Sequence, residues 1–309
     1  MSLALIFPGQ GSQTVGMGKP LADRFPEALE TIQEADRILG FELSRIMWEG
    51  PDEELVQTKN AQPAILTHSV AVLRVIQERL PPVQMAAGHS LGEFSAHVAA
   101  GTLSYEDALR AVRKRGELMH EAGTQRPGTM AAFLGMDDEA AGEICREASD
   151  PDQDQVVVVA NLNSSGQLVI SGDVDAVGRA MEMAGDAGAK RVVPLNVSGA
   201  FHSPLMEPAG QGLRAELEAM TFKRPSFPVV SNATANPVTT GEEARDLLVK
   251  QLTSPVRWAE SIQVMLQGGV TRFLELGPGS VLRGLNRRNA RGVPTQSLGT
   301  PEDLAELSL

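Results

Sequence analysis

The chain has 309 residues, 42% apolar and 21% charged, an ordinary globular composition with enough apolar material for a sizeable core. Its 27 basic against 39 acidic residues give a formal charge of −12, which argues against sequence-independent nucleic-acid binding and against adsorption to anionic membranes. The single cysteine, Cys145, excludes an intrachain disulfide and fits a reducing compartment.

The opening MSLALIFPGQG has no basic segment ahead of its short apolar run, so no signal peptide is expected. No apolar run approaches the roughly 20 residues of a membrane span. Together these suggest a soluble cytoplasmic protein. Aromatics are scarce, so aliphatics and twelve methionines must fill the core.

In chain order, residues 3–7 read as a short buried strand stopped by Pro8-Gly9-Gln10-Gly11-Ser12. Helical runs follow around 20–39, 52–57 and 62–79. Residues 83–87 are apolar, short and stopped by Gly88, and read as a strand. A helix is expected over 91–100, and another over 104–123 with Ser104 as its N-cap. From about 126 the order is strand 129–134, helix 137–148, strand 156–162, a hairpin turn at 163–166, strand 167–171, helix 174–187 and strand 191–195. That is β-α-β-β-α-β, the ferredoxin-like arrangement. Cys145 falls in its first helix and reads as a small core residue. Then come a helix near 205–219, a strand at 228–231, helices at 242–252 and 256–268, and a strand at 272–276 stopped by Gly277-Pro278-Gly279.

The fold class is therefore α/β. Residues 1–125 and 197–309 form a large catalytic subdomain with a short, mostly parallel sheet and a hydrolase-like nucleophile elbow. Residues 126–196 form an inserted ferredoxin-like small subdomain. In such sheets ligand sites gather at the carboxyl ends of strands, where all three glycine-rich turns lie.

One of these turns, Gly88-His89-Ser90-Leu91-Gly92, sits between a strand and a helix, the context of a nucleophile elbow. Ser90 then stands at a helix N-terminus, where free N–H groups favour developing negative charge. The Leu91 N–H is placed as one oxyanion donor, and the Gln10 N–H of the first glycine turn is the natural second. A small-residue packing turn would look similar.

Serine needs a general base. His89 adjoins Ser90, and neighbouring side chains in an elbow diverge. His97 lies too far down the same helix, and His68 and His120 read as packing or surface residues. His202 lies in a loop returning from the insert, and context and elimination favour it. No Asp or Glu occupies a convincing orienting position, although Glu275 at a strand end stays open. A backbone carbonyl is the other way to fix the tautomer.

On the helix 104–123, position 115 falls within the apolar stripe of Ala108, Val112, Met119 and Ala122, yet it is Arg115. Arg113 and Lys114 read as a solvated face. A buried guanidinium is costly unless paired. Either an internal carboxylate partners it, or it awaits an anion that accepts two parallel hydrogen bonds.

Phe7-Pro8-Gly9-Gln10-Gly11-Ser12-Gln13, Gly88-His89-Ser90-Leu91-Gly92-Glu93, Arg115, Gly199-Ala200-Phe201-His202-Ser203 and Glu275-Leu276-Gly277-Pro278-Gly279 together resemble the malonyl-CoA:acyl carrier protein transacylases, in order over nearly the whole chain. The resemblance implies malonyl transfer from malonyl-CoA to the phosphopantetheine thiol of acyl carrier protein through a Ser90 ester, for fatty acid synthesis, without a cofactor or metal and as a monomer. It implies His202 as base, Gln10 and Leu91 N–H groups as oxyanion hole, and Arg115 on the malonyl carboxylate. Gln251 looks like the residue whose main-chain carbonyl orients the histidine. Leu91 and Ala200-Phe201-His202 resemble the malonyl-selecting variants. Basic residues Arg283, Arg287, Arg288 and Arg291, or Lys190 and Arg191, are candidates for carrier docking, and equally for ordinary surface. The competing expectation is a serine hydrolase, either a thioesterase or a patatin-like lipase with a serine and an aspartate, which shares the elbow but predicts a catalytic Asp and no buried arginine.

Overall fold

The computed structural model describes residues 2–307. Two sheets organise it. The first has six strands: β1 (Leu3–Phe7), β2 (Val83–Gly88), β7 (Val229–Val230), β8 (Pro237–Val238), β9 (Arg272–Leu276) and β10 (Thr295–Leu298). Their order is β10-β9-β1-β2-β7-β8, and every pairing is parallel except β7 with β8. The second has four strands, β3 (Gly128–Leu134), β4 (Val157–Ser164), β5 (Gln167–Asp173) and β6 (Arg191–Pro194). It is antiparallel in the order β4-β5-β3-β6, with helices Asp138–Ala148 and Val174–Asp186 in its crossovers. This is the ferredoxin-like arrangement expected from the sequence.

β1 is buried along its whole length because both sheet faces are covered. Leu3, Leu5 and Phe7 pack on one side with Leu21, Ala71 and Ile76. Ala4 and Ile6 point the other way, into Trp258, Ile262 and Met265. β1 lies between β9 and β2. Its glycine turn, the turn after β2 and the turn after β9 therefore sit side by side at one sheet edge. In the small sheet, Phe133, Leu168 and Ile170 pack on the two helices, with Cys145 buried among them. The opposite face supplies Met130 and Val169 to a core shared with Met119, Ala200 and Phe201. The small sheet is thus seated over the elbow.

The structure departs from the sequence expectation where backbone chemistry overrides pattern. The run 20–39 is two helices, Lys19–Arg24 and Pro26–Leu39, because Pro26 forces Phe25 into an extended conformation (φ −122°, ψ 117°). The helix expected from 62 begins at Thr58 and carries Pro63 within it. β4 runs through Asn163 to Ser164, so the turn shrinks to Ser165-Gly166, with Gly166 at φ 70°. The helix expected to 252 ends at Lys250, and a 3-10 turn, Gln251–Thr253, follows. Helices Leu43–Glu49, Val281–Asn289 and Pro301–Ala305, and strands β8 and β10, were not read from the sequence. Arg113 is half-buried rather than solvated: it stacks on Phe41 and bonds Glu117 and Asn60.

Candidate active site

The elbow requires two close backbone approaches. A Cβ on Gly92 would lie 2.1 Å from the Phe7 carbonyl oxygen, and one on Gly9 would lie 2.4 Å from that of His89. Glycine at both positions lets the turn after β1 press against the turn after β2. Ser90 is held at φ 49°, a strained value for a non-glycine residue that surrounding structure must enforce. Its N–H donates to Asn232 Oδ1 at 2.6 Å, and Asn232 Nδ2 donates back to the Gly88 carbonyl at 2.7 Å. Leu91 is the N-cap of helix Gly92–Ala99. The Gln10 side chain bonds Thr58 Oγ1 at 3.2 Å and anchors the facing loop. Among the described residues, the main-chain N–H groups of Gln10 and Leu91 meet no acceptor.

His202 is also held at a positive φ, 57°, and is buried. Its Nδ1 lies 2.9 Å from the Gln251 carbonyl oxygen and its Nε2 lies 2.8 Å from Ser90 Oγ. A carbonyl only accepts, so Nδ1 carries the proton and Nε2 is free to accept from the serine hydroxyl. Burial, and then the nearby Arg115 charge, lower the His202 pKa to about 3, so the ring is neutral and its Nε2 lone pair faces Ser90 Oγ.

Arg115 is fully enclosed, yet no carboxylate lies within ion-pair distance among the described residues. Its guanidinium is held by neutral groups: Nη1 donates to Gln62 Oε1 at 2.8 Å, and Nη2 donates to Gln251 Oε1 at 2.9 Å and Ser90 Oγ at 3.1 Å. Burial lowers its pKa to about 10, which still leaves it charged at neutral pH. The nearest acid in this network is Glu93, one amide away: Gln251 Nε2 donates to Glu93 Oε2 at 2.6 Å.

The remaining candidates fall elsewhere. His89 Nε2 meets Asn163 Oδ1 at 2.8 Å and its ring packs on Trp258, turned from the serine. His68 bonds the Gly299 carbonyl, His97 is buried without a partner, and His120 is exposed. Glu275, left open by the sequence, does not face His202. Its carboxylate accepts from the Leu282 and Arg283 N–H groups and the Ser297 hydroxyl, so it caps helix Val281–Asn289 rather than orienting His202. No group of three His, Cys, Asp or Glu side chains suited to a metal occurs among the described residues.

Ser90, His202 and Arg115 open onto a cleft of about 400 Å³ between the two sheets. The small sheet contributes Met130, Asn161, Asn163 and Val169, while Val281 and Leu285 form part of its rim.

Residues 4–299 match the acyl transferase domain family. The chain belongs to the acyl transferase family. This acyl transferase is 47% identical over 302 residues to the malonyl CoA-acyl carrier protein transacylase of Bacillus subtilis strain 168, covering 98% of this chain and 95% of that protein. It is 45% identical over 304 residues to the protein of the same name from Escherichia coli strain K12, covering 98% and 97%. Among solved structures it resembles an acyl carrier protein S-malonyltransferase from Vibrio cholerae O1 biovar eltor (TM-score 0.95, 41% identity, all of both chains). It also resembles a malonyl-transacylase solved in complex with its type II PKS acyl-carrier protein (TM-score 0.94, 42% identity, 99% and 98% covered). The hydrolase alternative is not favoured: a carbonyl occupies the place an Asp would take beside His202, and the arginine is buried.

Two members of the acyl transferase's buried network escaped sequence reading, and a third, Glu93, was read only as part of the elbow motif. Gln62 and Asn232 are uncharged and lie among other ordinary polar residues, so no pattern marks them. Glu93 did give a signal, a carboxylate one residue past the elbow glycine on a helix whose every residue from Gly92 to His97 is buried.

Proposed function

We propose that this acyl transferase moves a malonyl group from malonyl-CoA to the phosphopantetheine thiol of acyl carrier protein, supplying extender units for fatty acid synthesis. The observation that carries this reading is Arg115, a buried charge without a carboxylate partner whose guanidinium reaches within 3.1 Å of Ser90 Oγ. A carboxylate at the far end of an acyl group on Ser90 would meet that fork and accept two charge-assisted hydrogen bonds.

In the proposed sequence, Ser90 Oγ attacks the thioester carbonyl while its proton passes to His202 Nε2. The oxyanion is held by the N–H groups of Leu91 and Gln10. The C–S bond breaks, the coenzyme A sulfur takes the proton from His202, and a malonyl ester remains. The carrier thiol then gives its proton to His202 and attacks the ester carbonyl, and Ser90 Oγ takes the proton back as it leaves. The Gln251 carbonyl keeps the imidazole in the required tautomer throughout. Serine, histidine and hydrogen-bond donors supply every step, so the reading calls for no cofactor. We assign residues 1–125 and 197–309 to the large subdomain, residues 126–196 to the small one, and the reaction to the cytoplasm. Arg283, Arg287 and Arg288 lie exposed on the helix whose Val281 and Leu285 edge the cleft, and would meet an acidic carrier.

Intact-mass measurement after mixing with malonyl-CoA tests this. A malonyl adduct is expected, absent in Ser90→Ala, that discharges to a phosphopantetheine thiol faster than to water. No adduct, or hydrolysis alone, would overturn it.

A further inference from the structure

Glu93 has no part in the chemistry above, yet it is fully buried two hydrogen bonds from the base. Its Oε2 accepts from Gln251 Nε2 at 2.6 Å and from the Asn232 N–H at 3.1 Å, while Oε1 is buried with no hydrogen bond. The same Gln251 amide accepts from Arg115 through Oε1. The guanidinium and the carboxylate therefore face each other across one polarised amide. Among the described residues, Arg115 is the one charged side chain that acts on Glu93; Gln251, Asn232 and Ser231, which face it from the neighbouring segments, are uncharged. His89, His97 and His202 titrate nearby, and burial holds each below its ordinary value and so neutral.

Above about pH 7 this buried cluster carries one positive and one negative charge in the free enzyme. A carboxylated acyl group on Ser90 brings a second negative charge to the same guanidinium. Two carboxylates sharing one cation in a site removed from water disfavour double ionisation, and one is driven to bind a proton. The acyl carboxylate would gain the direct Arg115 contacts. Glu93 would keep only uncharged donors, the Gln251 amide, the Asn232 N–H and the Ser231 hydroxyl beside it, and its Oε1 is the oxygen to protonate.

We propose that Glu93 is the buried counter-charge of Arg115 and takes up one proton from solvent when a carboxylated acyl group is esterified to Ser90. It is a positioning residue that holds Gln251, and its ionisation sets how well the site accepts a charged acyl group. Burial already raises the free-state Glu93 pKa to about 7, close enough to neutral pH for the uptake to be visible. Above that value the free enzyme holds Glu93 ionised and acylation must bring in a proton; well below it the proton is already there. The KM for malonyl-CoA should accordingly rise with pH through this range.

The inference rests on the malonyl reading, and one experiment separates the two. Wild type and Glu93→Gln are mixed with malonyl-CoA in weakly buffered solution with a pH indicator, and adducts are counted by intact mass. Thioester-to-ester exchange with release of a protonated thiol moves no net proton, so any uptake belongs to the protein. Wild type should take up about half a proton or more per adduct at about pH 8 and close to none at about pH 6. The isosteric glutamine should form the adduct with no uptake at either pH, and its KM should not rise with pH. An adduct without uptake in wild type, or equal uptake in Glu93→Gln, overturns the role of Glu93. Absence of any adduct in wild type overturns the malonyl reading and this inference with it. If the variant does not fold, the pH dependence of the wild-type uptake decides alone.

Discussion

His202 Nδ1 lies 2.9 Å from the main-chain oxygen of Gln251, so the imidazole is oriented by a peptide carbonyl rather than by a carboxylate. A side-chain substitution at 251 cannot remove that carbonyl. It removes instead the amide that bridges Arg115 and Glu93. His202→Ala should therefore slow single-turnover malonylation by about 10²–10⁴-fold, the usual worth of a general base. Gln251→Ala should cost about 10–100-fold, from the loss of its hydrogen bonds to the charged Arg115 and Glu93 side chains. Equal losses would mean the carbonyl does not hold the base.

The pH profile of the same step follows from burial. His202 has a folded pKa lowered to about 3, so its neutral, proton-accepting form persists as pH falls below the ordinary histidine value of 6.5. The single-turnover rate at saturating malonyl-CoA should show no histidine titration between about pH 8 and 5. A loss of rate centred on 6.5 would show that His202 is solvated in the working enzyme.

Arg115→Ala should lower the ratio of malonyl to acetyl transfer by about 10–100-fold, the worth of charge-assisted hydrogen bonds to a carboxylate. Arg115→Lys should recover little of it, because one ammonium cannot reproduce the contacts to Gln62, Gln251 and an incoming carboxylate together. Competition between the two thioesters, read by the mass of the adduct, measures the ratio. An unchanged ratio would remove Arg115 from acyl selection.

The elements that position this site were legible because each carries a local signal. The strand–glycine–serine–glycine–helix order marked the elbow, and the break in apolar periodicity marked Arg115. Residue 202 was found by context, and the structure brings its imidazole to Ser90. What was not legible depends on contacts distant in sequence. Asn232 bonds the Ser90 N–H across 142 positions, and Gln62 reaches Arg115 across 53. Both are neutral amides whose value lies only in where the fold delivers them. Glu275 stayed open for a related reason: a carboxylate at a strand end serves equally well as a helix cap, and only the later helix, Val281–Asn289, decides which.

His97 gives a stability prediction. It is buried with both ring nitrogens unpartnered, and burial lowers its pKa to about 3. Below pH 6.5 the unfolded chain binds a proton that the folded protein refuses, so stability falls as pH falls from 6.5 toward 3, by up to about 1.4 kcal/mol per pH unit for each such histidine. His68, lowered to about 4, adds to the same acid weakness. His97→Leu removes two unsatisfied polar atoms and the proton linkage together. Urea unfolding at pH 7 should show it equal to wild type or more stable by about 1 kcal/mol, with the gap wider at pH 5. A gap that narrows on acidification would mean His97 is paired in solution.

The backbone approach at the elbow sets the last expectation. A Cβ on Gly92 would meet the Phe7 carbonyl oxygen at 2.1 Å, and both atoms belong to main chain that cannot swing aside. Gly9→Ala meets the His89 carbonyl at 2.4 Å, but its turn lies on the cleft side and has no helix built on it. Gly92→Ala should therefore destabilise the fold by several kcal/mol, with poor recovery of folded protein. Gly9→Ala should lose less stability than Gly92→Ala, and in the folded protein the Gln10 N–H, the proposed oxyanion donor, is displaced, lowering kcat about 10–1000-fold with a smaller effect on KM. Thermal unfolding and steady-state kinetics on the two variants separate these outcomes. A fully active Gly9→Ala would detach the first glycine turn from the oxyanion hole.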